Sequence, residues 1–528
     1  MKRKLTPLAI SLCMLGLVSA PAFAAASNSN VSDRTQALEQ QVAELQKEVA
    51  ALKPYATTST VSHKKRHHAK QAVNQSLNQA AADNAIDNSA PISGVSNLPN
   101  SGTKYLPVDL DVPGQSFVSS GPYIGIPLEY SGSNLIINNP SIDQDVTLLK
   151  VRENIHRRLQ GLGIQEEPDH AHVLLSGIVE GQAAYQNNGT GADNSSIDLT
   201  SAGIDAYILG PSNWLSSLIS LQYDNFTGAS EGTFNSNTRS LNSRVFVNQA
   251  FVTIGDFMRT PVYGTFGQIN VPFGRYSSNM VTPPLTRLLA KVKARAIILG
   301  YQPQKDDALY SAGYIFQGDS HVGNASRVNN GGIDLGYHFK QGAYSADFGG
   351  GLIANIADSV GMQFVGNSTA NFNGFGGTGM TGNEKIAHRV PAYDIHGLAQ
   401  LGDSVDLLGE FVSATTRFSA SDMTMNNHGA RPEALDAQAA YTFNAFSRPS
   451  SLAAGYGFTK DALAVGLPGQ RWSLVFNTSI WRDTLQSLEF RHDILYAAGD
   501  SATGSTVPAA ASLGGNDNAL TAQFDVYF

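Results

Sequence analysis

Apolar and polar residues alternate over the last strand-length segment of the chain, N-A-L-T-A-Q-F-D-V-Y-F. Successive side chains of a β-strand point to opposite faces, so this pattern predicts a strand with one apolar and one polar face. Taken alone, the pattern fits a half-buried strand of a soluble protein equally well. The apolar positions of this segment are Leu520, Ala522, Phe524, Val526 and Phe528.

Alternating or β-rich segments recur throughout residues 172–528. In a clear example, Ile395, Gly397 and Leu401 oppose Asp394 and His396. Sixteen such segments can be counted, which predicts sixteen strands, and the segments near residues 197 and 294 have the weakest pattern. The segments begin near residues 172, 197, 214, 244, 262, 294, 308, 331, 343, 391, 405, 434, 450, 471, 486 and 519.

Short turns and long polar loops alternate as the connections between these segments. Seven short turns, such as K-Q-G and G-D-S, alternate with eight longer loops, which places both ends of the barrel on one side of a membrane. Short periplasmic turns, longer external loops and an even strand number are typical of outer-membrane barrels. We therefore predict an all-β fold for residues 172–528, a transmembrane antiparallel β-barrel of about 16 strands in the outer membrane of a Gram-negative bacterium.

The first residues predict export. Three basic residues at positions 2–4 precede an apolar run, and A-F-A at 22–24 is a small-x-small cleavage pattern, so residues 1–24 are interpreted as a signal peptide. The only cysteine, Cys13, lies inside this leader, so the mature chain offers neither a disulfide nor a thiolate site. The mature chain has no run of 18 apolar residues, and a closed barrel is the other backbone arrangement that can cross lipid.

Three further segments precede the predicted barrel. Residues 31–53 show apolar positions at heptad spacing, which predicts a short coiled coil and is compatible with a homotrimer; a lone amphipathic helix is the alternative. Residues 55–100 have the composition of a flexible linker, in which H-K-K-R-H-H is interpreted as a basic patch rather than a metal site. Residues 105–169 predict a small periplasmic or plug-like region, with a helix starting after Ser141-Ile142-Asp143.

Composition and charge narrow the functional classes. Only 15% of residues are charged and glycine numbers 51, which favours the barrel over a soluble domain. Removal of the leader with its three basic residues changes the formal net charge from -8 to -11, which gives no indication of a nucleic-acid partner. No H-E-x-x-H zinc motif occurs. We predict no enzymatic activity, no catalytic residue, no cofactor and no metal site.

A basic stretch between the fifth and sixth predicted strands is the main candidate for chemistry. Residues 271–295 contain five cations and no acidic residue. If this third external loop folds inward, rings of Arg and Lys would favour anionic permeants. The alternative, given equal weight, is a small surface helix whose basic side chains meet lipopolysaccharide phosphates. The five predicted substrate-path residues are Arg275, Arg287, Lys291, Lys293 and Arg295.

Other charged residues of the predicted strands are expected to face the lumen, without a specific role. The glycine-rich loop at 357–390 is expected either to enter the pore or to act as an external lid, with flexible filling as the simpler interpretation. The lumen candidates are Glu180, Asp394, His396, Glu410, Arg471, Glu489, Arg491 and Asp493.

Two stretches carry a family resemblance. The segment T-K-Y-L-P-V-D-L-D-V-P-G-Q-S-F-V-S-S-G-P-Y-I-G-I-P-L-E-Y at 103–130 and the stretches N-Q-A-F-V-T-I-G-D and G-Q-I-N-V-P-F-G-R-Y resemble the siderophore porins typified by the legiobactin receptor. The resemblance implies uptake of an iron-bearing siderophore through a sixteen-stranded barrel. The strand ending at Phe528 also resembles the C-terminal strands that the barrel-insertion machinery recognises.

These observations together predict an outer-membrane channel for anionic solutes, with an iron-loaded carboxylate siderophore as the leading substrate, by passive selective diffusion. A general or phosphate-type anion porin is the alternative, and a structural outer-membrane surface protein comes third. The expected partners are the solute, outer-membrane lipid and lipopolysaccharide.

Overall fold

The computed structural model describes residues 110–112, 116–120, 142–161, 171–188, 193–210, 212, 214–225, 243–305, 307–323, 327–363, 375, 384–402, 404–445, 448–481, 484–504 and 510–527. Every described residue belongs to one compact unit, Ser93–Phe528. The predicted signal peptide, coiled coil and linker, together with Phe528, lie outside the described residues and stay predictions.

Sixteen long strands, numbered β1 to β16 here, form the body of the described chain. Their starting residues lie within four positions of those predicted, including the two segments with the weakest pattern. The strands are β1 Ala171–Asn188, β2 Asp193–Leu209, β3 Leu215–Asn225, β4 Ser243–Gly255, β5 Val262–Asn270, β6 Lys293–Tyr301, β7 Ala308–Phe316, β8 Asn330–Gln341, β9 Tyr344–Ile353, β10 Ala392–Leu401, β11 Val405–Ala414, β12 Glu433–Ala445, β13 Arg448–Lys460, β14 Gln470–Thr478, β15 Thr484–Ile494 and β16 Asn516–Tyr527.

Each strand pairs antiparallel with the next, and the last pairs with the first. The closing pair of strands, β16 and β1, runs in register from Asp517 opposite Asn188 to Tyr527 opposite Ile178. Closure leaves none of the sixteen strands as a free edge, which satisfies the backbone in an environment without water. The prediction of a closed antiparallel barrel of sixteen strands is confirmed.

The alternation in β16 sorts its side chains between the two faces of the barrel wall. Leu520 and Phe524 point outward and are 46% and 40% exposed, whereas Asp525 points inward and is 1% exposed. An apolar outside with a polar inside is the reverse of a soluble barrel and is what lipid around a polar lumen requires. The same outward apolar pattern recurs on the other strands, for example at Leu299 and Leu309.

The connections differ in length at the two ends of the barrel. One end, named the short-turn end, has seven turns: 210–214, 256–261, 302–307, 342–343, 402–404, 446–447 and 479–483. The other, the long-loop end, has eight connections: 189–192, 226–242, 271–292, 317–329, 354–391, 415–432, 461–469 and 495–515. The predicted rhythm therefore holds, although the first long-loop connection is brief because β1 and β2 extend further than expected.

A helix from the region before the barrel packs inside the barrel. This helix, α1, spans Gln144–Gly161, where the sequence predicts one. The Tyr207 hydroxyl of β2 donates to the Leu148 carbonyl at 2.8 Å, and the Thr265 hydroxyl of β5 donates to Asp145 at 2.6 Å. Arg152 reaches the Ser212 carbonyl in a short turn at 2.7 Å. The first half of α1 thus lies inside the barrel against β2 to β5, toward the short-turn end.

Smaller elements complete the described part. Strands Leu110–Val112 and Ser116–Ser120 form a hairpin, whose second strand pairs parallel with the start of β1. At the long-loop end, four short strands from two loops form a second sheet: Met423–Met425, His428–Gly429, Ser501–Gly504 and Ala510–Ala511. Within the described ranges, no helix has the length and hydropathy needed to cross a membrane.

Candidate functional site in the barrel lumen

The loop between β5 and β6, residues 271–292 and named L3 here, folds into the barrel. Its first half buries Phe273 and Tyr276, and its second half forms a short helix, α2, at Leu285–Ala290. The helix packs against β11, β12 and β13 on the far wall. L3 is the third connection at the long-loop end, and it folds inward, whereas the sequence leaves an inward course and a surface helix equally open.

Glu410 of β11 is the central anchor of L3. Its carboxylate accepts the Arg275 backbone N–H at 2.7 Å, the Tyr276 backbone N–H at 3.2 Å and the Thr286 hydroxyl at 2.8 Å. The Gly274 backbone N–H donates to Asp394 of β10 at 3.1 Å. Hydrogen bonds to an ionised acceptor are about twice as strong as neutral ones, so two wall carboxylates fix the start of the loop and the helix together.

A second row of wall side chains holds the middle of L3. Gln438 of β12 accepts the Asn279 N–H at 2.9 Å, and Glu489 of β15 accepts the Thr282 N–H at 2.9 Å. Asn477 of β14 donates to the Asn279 carbonyl at 3.2 Å. These contacts satisfy loop backbone groups that would otherwise be unpaired inside the protein. L3 is therefore pinned along the wall from β10 to β15.

Arg275 sits at a junction of three elements. Its guanidinium lies 2.9 Å from Asp143 at the start of α1 and 2.9 Å from Asp334 of β8, and it covers the ring of Tyr310. The two carboxylates compensate its charge. Arg275 therefore joins L3 to α1 and the barrel wall instead of presenting a free cation to the lumen.

The two faces of α2 have different surroundings. Leu285, Thr286, Leu289 and Ala290 are buried against the wall. Arg287 and Lys291 are four residues apart and lie on the remaining face, where both side chains are partly exposed. Arg287 on this face of α2 and Lys291 at the C-cap therefore supply the positive charge of this part of L3.

The pKa values of Arg287 and Lys291 reflect the enclosed position of these two side chains. Burial lowers the pKa of Arg287 to about 10, and the nearby Glu180 carboxylate of β1 partly offsets that effect. Burial, together with repulsion from Arg287 and Lys293, lowers the pKa of Lys291 well below its ordinary value. We define the lumen patch as Arg287 and Lys291 of L3 facing Glu180 of β1. Beyond Glu180 the wall is polar, because Gln182 of β1 donates to Gln523 of β16 at 2.6 Å.

The last two predicted cations belong to strand β6 rather than to the loop. Lys293 donates to Asn248 at 3.1 Å and lies over the ring of Phe246 on β4. Arg295 is exposed and alternates in step with the outward-facing Ile297 and Leu299. Of the five predicted path residues, the structure brings Arg287 and Lys291 together on α2, pairs Arg275 with carboxylates and sets the other two in the wall.

The buried trio Asp394, His396 and Glu410 brings ligand-type atoms within 4.8 Å of one another. Three such groups could hold a cation. Asp394 already bonds His396 Nδ1 at 2.7 Å and the Gly274 N–H, and Glu410 is occupied by L3 donors. The trio fits an anchor for the loop better than a metal centre.

The loop at 354–391 contributes through its first residues. A side chain on Gly361 would collide with the Leu288 carbonyl of α2, so glycine allows this loop to lie directly on the helix. The Ser359 hydroxyl donates to the Leu289 carbonyl at 2.8 Å, and the Val360 N–H donates to the Lys291 carbonyl at 2.8 Å. The described start of this loop thus enters the pore, while residues 364–374 and 376–383 lie outside the described residues.

Sequence reasoning included some anchors among the lumen candidates but gave them no role. It missed others entirely, although strand alternation could have identified Asp334, Gln438 and Asn477 as inward-facing. Asp143 had been considered only as a helix cap. The lumen candidates that contact L3 are Asp394, Glu410, Arg471, Glu489 and Arg491.

A closed sixteen-stranded barrel with an apolar outside, a polar lumen and an inward-folded third loop defines an outer-membrane β-barrel of the porin type. No protein-family model matches the chain. A UPF0422 protein of Coxiella burnetii is 39% identical over 420 residues, 78% of this chain and 84% of that protein. A UPF0422 protein of Legionella pneumophila strain Paris is 37% identical over 419 residues, which is 78% of this chain and 76% of that protein. The chain belongs to the UPF0422 family.

Two solved structures, a porin and an outer-membrane channel, have a similar course of the chain. An anion-selective porin from Comamonas acidovorans is 12% identical with a TM-score of 0.43, covering 68% of this chain and 100% of that one. The channel DcaP of Acinetobacter baumannii is 14% identical with a TM-score of 0.41, and the match covers 67% of this chain and 97% of that one. These comparisons do not extend to a siderophore, so that part of the predicted resemblance stays a prediction.

Proposed function

We propose that this protein is an outer-membrane channel for the uptake of anionic solutes by passive, selective diffusion. The observation that supports it is the lumen patch, in which Arg287 of α2 and Lys291, the residue after the helix ends, are partly exposed near Glu180. An anion passing this face would gain attraction in a partly desolvated site, where charge–charge interactions exceed their value in water. The carboxylate or phosphate of a solute also matches the planar fork of Arg.

Within this proposal, an iron-loaded carboxylate siderophore is the leading solute. Several carboxylates on one solute could contact Arg287 and Lys291 together. A general or phosphate-type anion porin is the alternative, and the same two cations support it. A structural surface protein would need no basic face inside the lumen.

Reversal potential under a salt gradient tests the proposal directly. The refolded mature protein in a planar bilayer is expected to prefer anions, and the double substitution Arg287→Gln and Lys291→Gln is expected to move the reversal potential toward cation preference. Lys305→Gln, an exposed lysine in a short turn, removes a charge outside the lumen and serves as the control. An unchanged reversal potential in the double variant would refute a role for the lumen patch.

The solute is tested in the same recording. Current that a ferric carboxylate siderophore blocks at micromolar concentration would support a dedicated uptake channel. Block by phosphate with indifference to the siderophore would favour the phosphate-type porin. Absence of any conductance would leave the structural alternative. If the channel is a homotrimer held by residues 31–53, deletion of that segment should reduce the mass seen on native sizing.

A further inference from the structure

The outside of the barrel carries a groove near the long-loop end. The groove has a volume of about 840 Å³ and crosses the ends of β7 and β9 and the starts of β8 and β10. A volume of this size can hold a small organic ligand. Because the strands meet the long loops here, the groove lies where the hydrocarbon layer gives way to lipid headgroups.

The floor of the groove is apolar. Ile315, Ile333 and Leu352 point outward and are 53%, 46% and 51% exposed. Ile333 lies opposite Leu352 on one side, and Gly331 lies opposite Ile315 on the other. An added Cβ on Gly331 would collide with the Tyr314 carbonyl, so glycine allows β7 and β8 to lie close together beside Ile315.

Two arginines border the same groove. Arg327 and Arg389 come from different long loops, line the groove together and are exposed. Neither forms an ion pair with any residue in the described part of the chain, whereas Arg431 and Lys460 at the same end of the barrel both lie beside Glu433. Two guanidinium groups above an apolar floor are complementary to a molecule that combines anionic groups with hydrocarbon.

We propose that this groove binds one phosphorylated lipid of the outer leaflet, a lipid A type glycolipid. Its phosphates contact Arg327 and Arg389, and one acyl chain lies along Ile315, Ile333 and Leu352. Basic residues near a membrane surface attract anionic lipid headgroups. The acyl contact adds affinity with each buried CH₂ group. This site is separate from the lumen patch and does not depend on the transported solute.

Native mass spectrometry of the full mature protein in detergent tests the site, with bis-phosphorylated lipid A as the probe. The expected result is one lipid adduct per chain. The double variant Arg327→Gln and Arg389→Gln should weaken the adduct at least tenfold. Arg448→Gln, which removes an exposed arginine at the short-turn end, is the matched control and should leave it unchanged. Unchanged single-channel conductance in each variant confirms that the barrel is folded.

A second variant tests the apolar floor separately. Gly313 lies opposite Ile333, and an added Cβ there would meet no atom within 4 Å, so Gly313→Phe can occupy the groove without displacing the strand. We expect it to reduce the lipid adduct several-fold while both arginines remain. Equal binding of dephosphorylated lipid A would overturn the proposal. Displacement of the adduct by millimolar inorganic phosphate alone would also overturn it. A change of oligomeric mass in the double arginine variant, with lipid binding intact, would overturn it too, because the groove would then be a contact between copies of the chain.

Discussion

Removal of the Glu410 carboxylate should free L3 from the barrel wall. This side chain accepts three hydrogen bonds from the loop, from the Arg275 and Tyr276 backbone and from the Thr286 hydroxyl. A hydrogen bond to a charged group contributes about 1.5–3 kcal/mol when buried. Because one side of L3 borders the lumen, we take roughly 1 kcal/mol for each bond, which gives about 3 kcal/mol for Glu410→Ala.

A loss of about 3 kcal/mol corresponds to roughly a 10²-fold rise in the population of the released loop. Glu410→Gln keeps one acceptor oxygen for the backbone donors but loses the charge, so we expect about a tenfold rise. Hydrogen exchange reports this population, because local opening sets the exchange rate of a protected amide. The measured segment is 271–284, which contains the Arg275 and Tyr276 amides.

Glu433→Ala is the matched control, because Glu433 lies at the long-loop end and its ionic partners are Arg431 and Lys460 rather than L3. Segment 271–284 should exchange at the wild-type rate in this control and faster in both Glu410 variants, while strands β1 and β16 remain protected throughout. Wild-type exchange of 271–284 in Glu410→Ala would refute the view that this carboxylate holds the loop.

Three other predictions concern helix α1 and the lumen patch. Arg275→Met leaves the buried Asp334 carboxylate and Asp143 without their cation, so we expect a loss of roughly 3 kcal/mol and faster hydrogen exchange across α1, with Arg275→Lys giving a smaller effect. Burial raises the pKa of Asp145 to about 6 in the docked helix, against 3.8 ordinarily. The docked state therefore binds the proton more tightly, so docking strengthens as pH falls from about 6 to 4. Asp145→Asn should remove this pH dependence and stabilise docking at pH 7.5 by at most about 3 kcal/mol, as measured by thermal unfolding. Because the pKa of Lys291 is lowered, protonation at falling pH should increase anion preference in reversal-potential measurements; Lys291→Arg should flatten that pH profile, and an equally steep profile in this variant would contradict the assignment.

The sequence alone was sufficient to predict the barrel wall. Membrane lipid outside and a polar lumen inside impose a period of two on every strand, and this period is visible in segments such as 516–527 without knowledge of any partner. Turn lengths then fixed the number of strands and the two different ends. Even weakly patterned strands were located, because the rhythm of the neighbouring connections limited where they could lie.

The candidate site depended on contacts that the local sequence does not encode. Residues 271–295 contain five basic residues and no acidic residue. Arg275 is nevertheless paired with Asp143 and with Asp334, which lies 59 positions away. Its backbone N–H donates to Glu410, 135 positions away. Closing the barrel brings these distant acids to one loop, so a stretch that is uniformly basic in the sequence is balanced at Arg275 by acids of other elements. The alternation predicted which residues face the lumen, and the tertiary structure decided which of them meet across it, because a period of two specifies a face but not a partner.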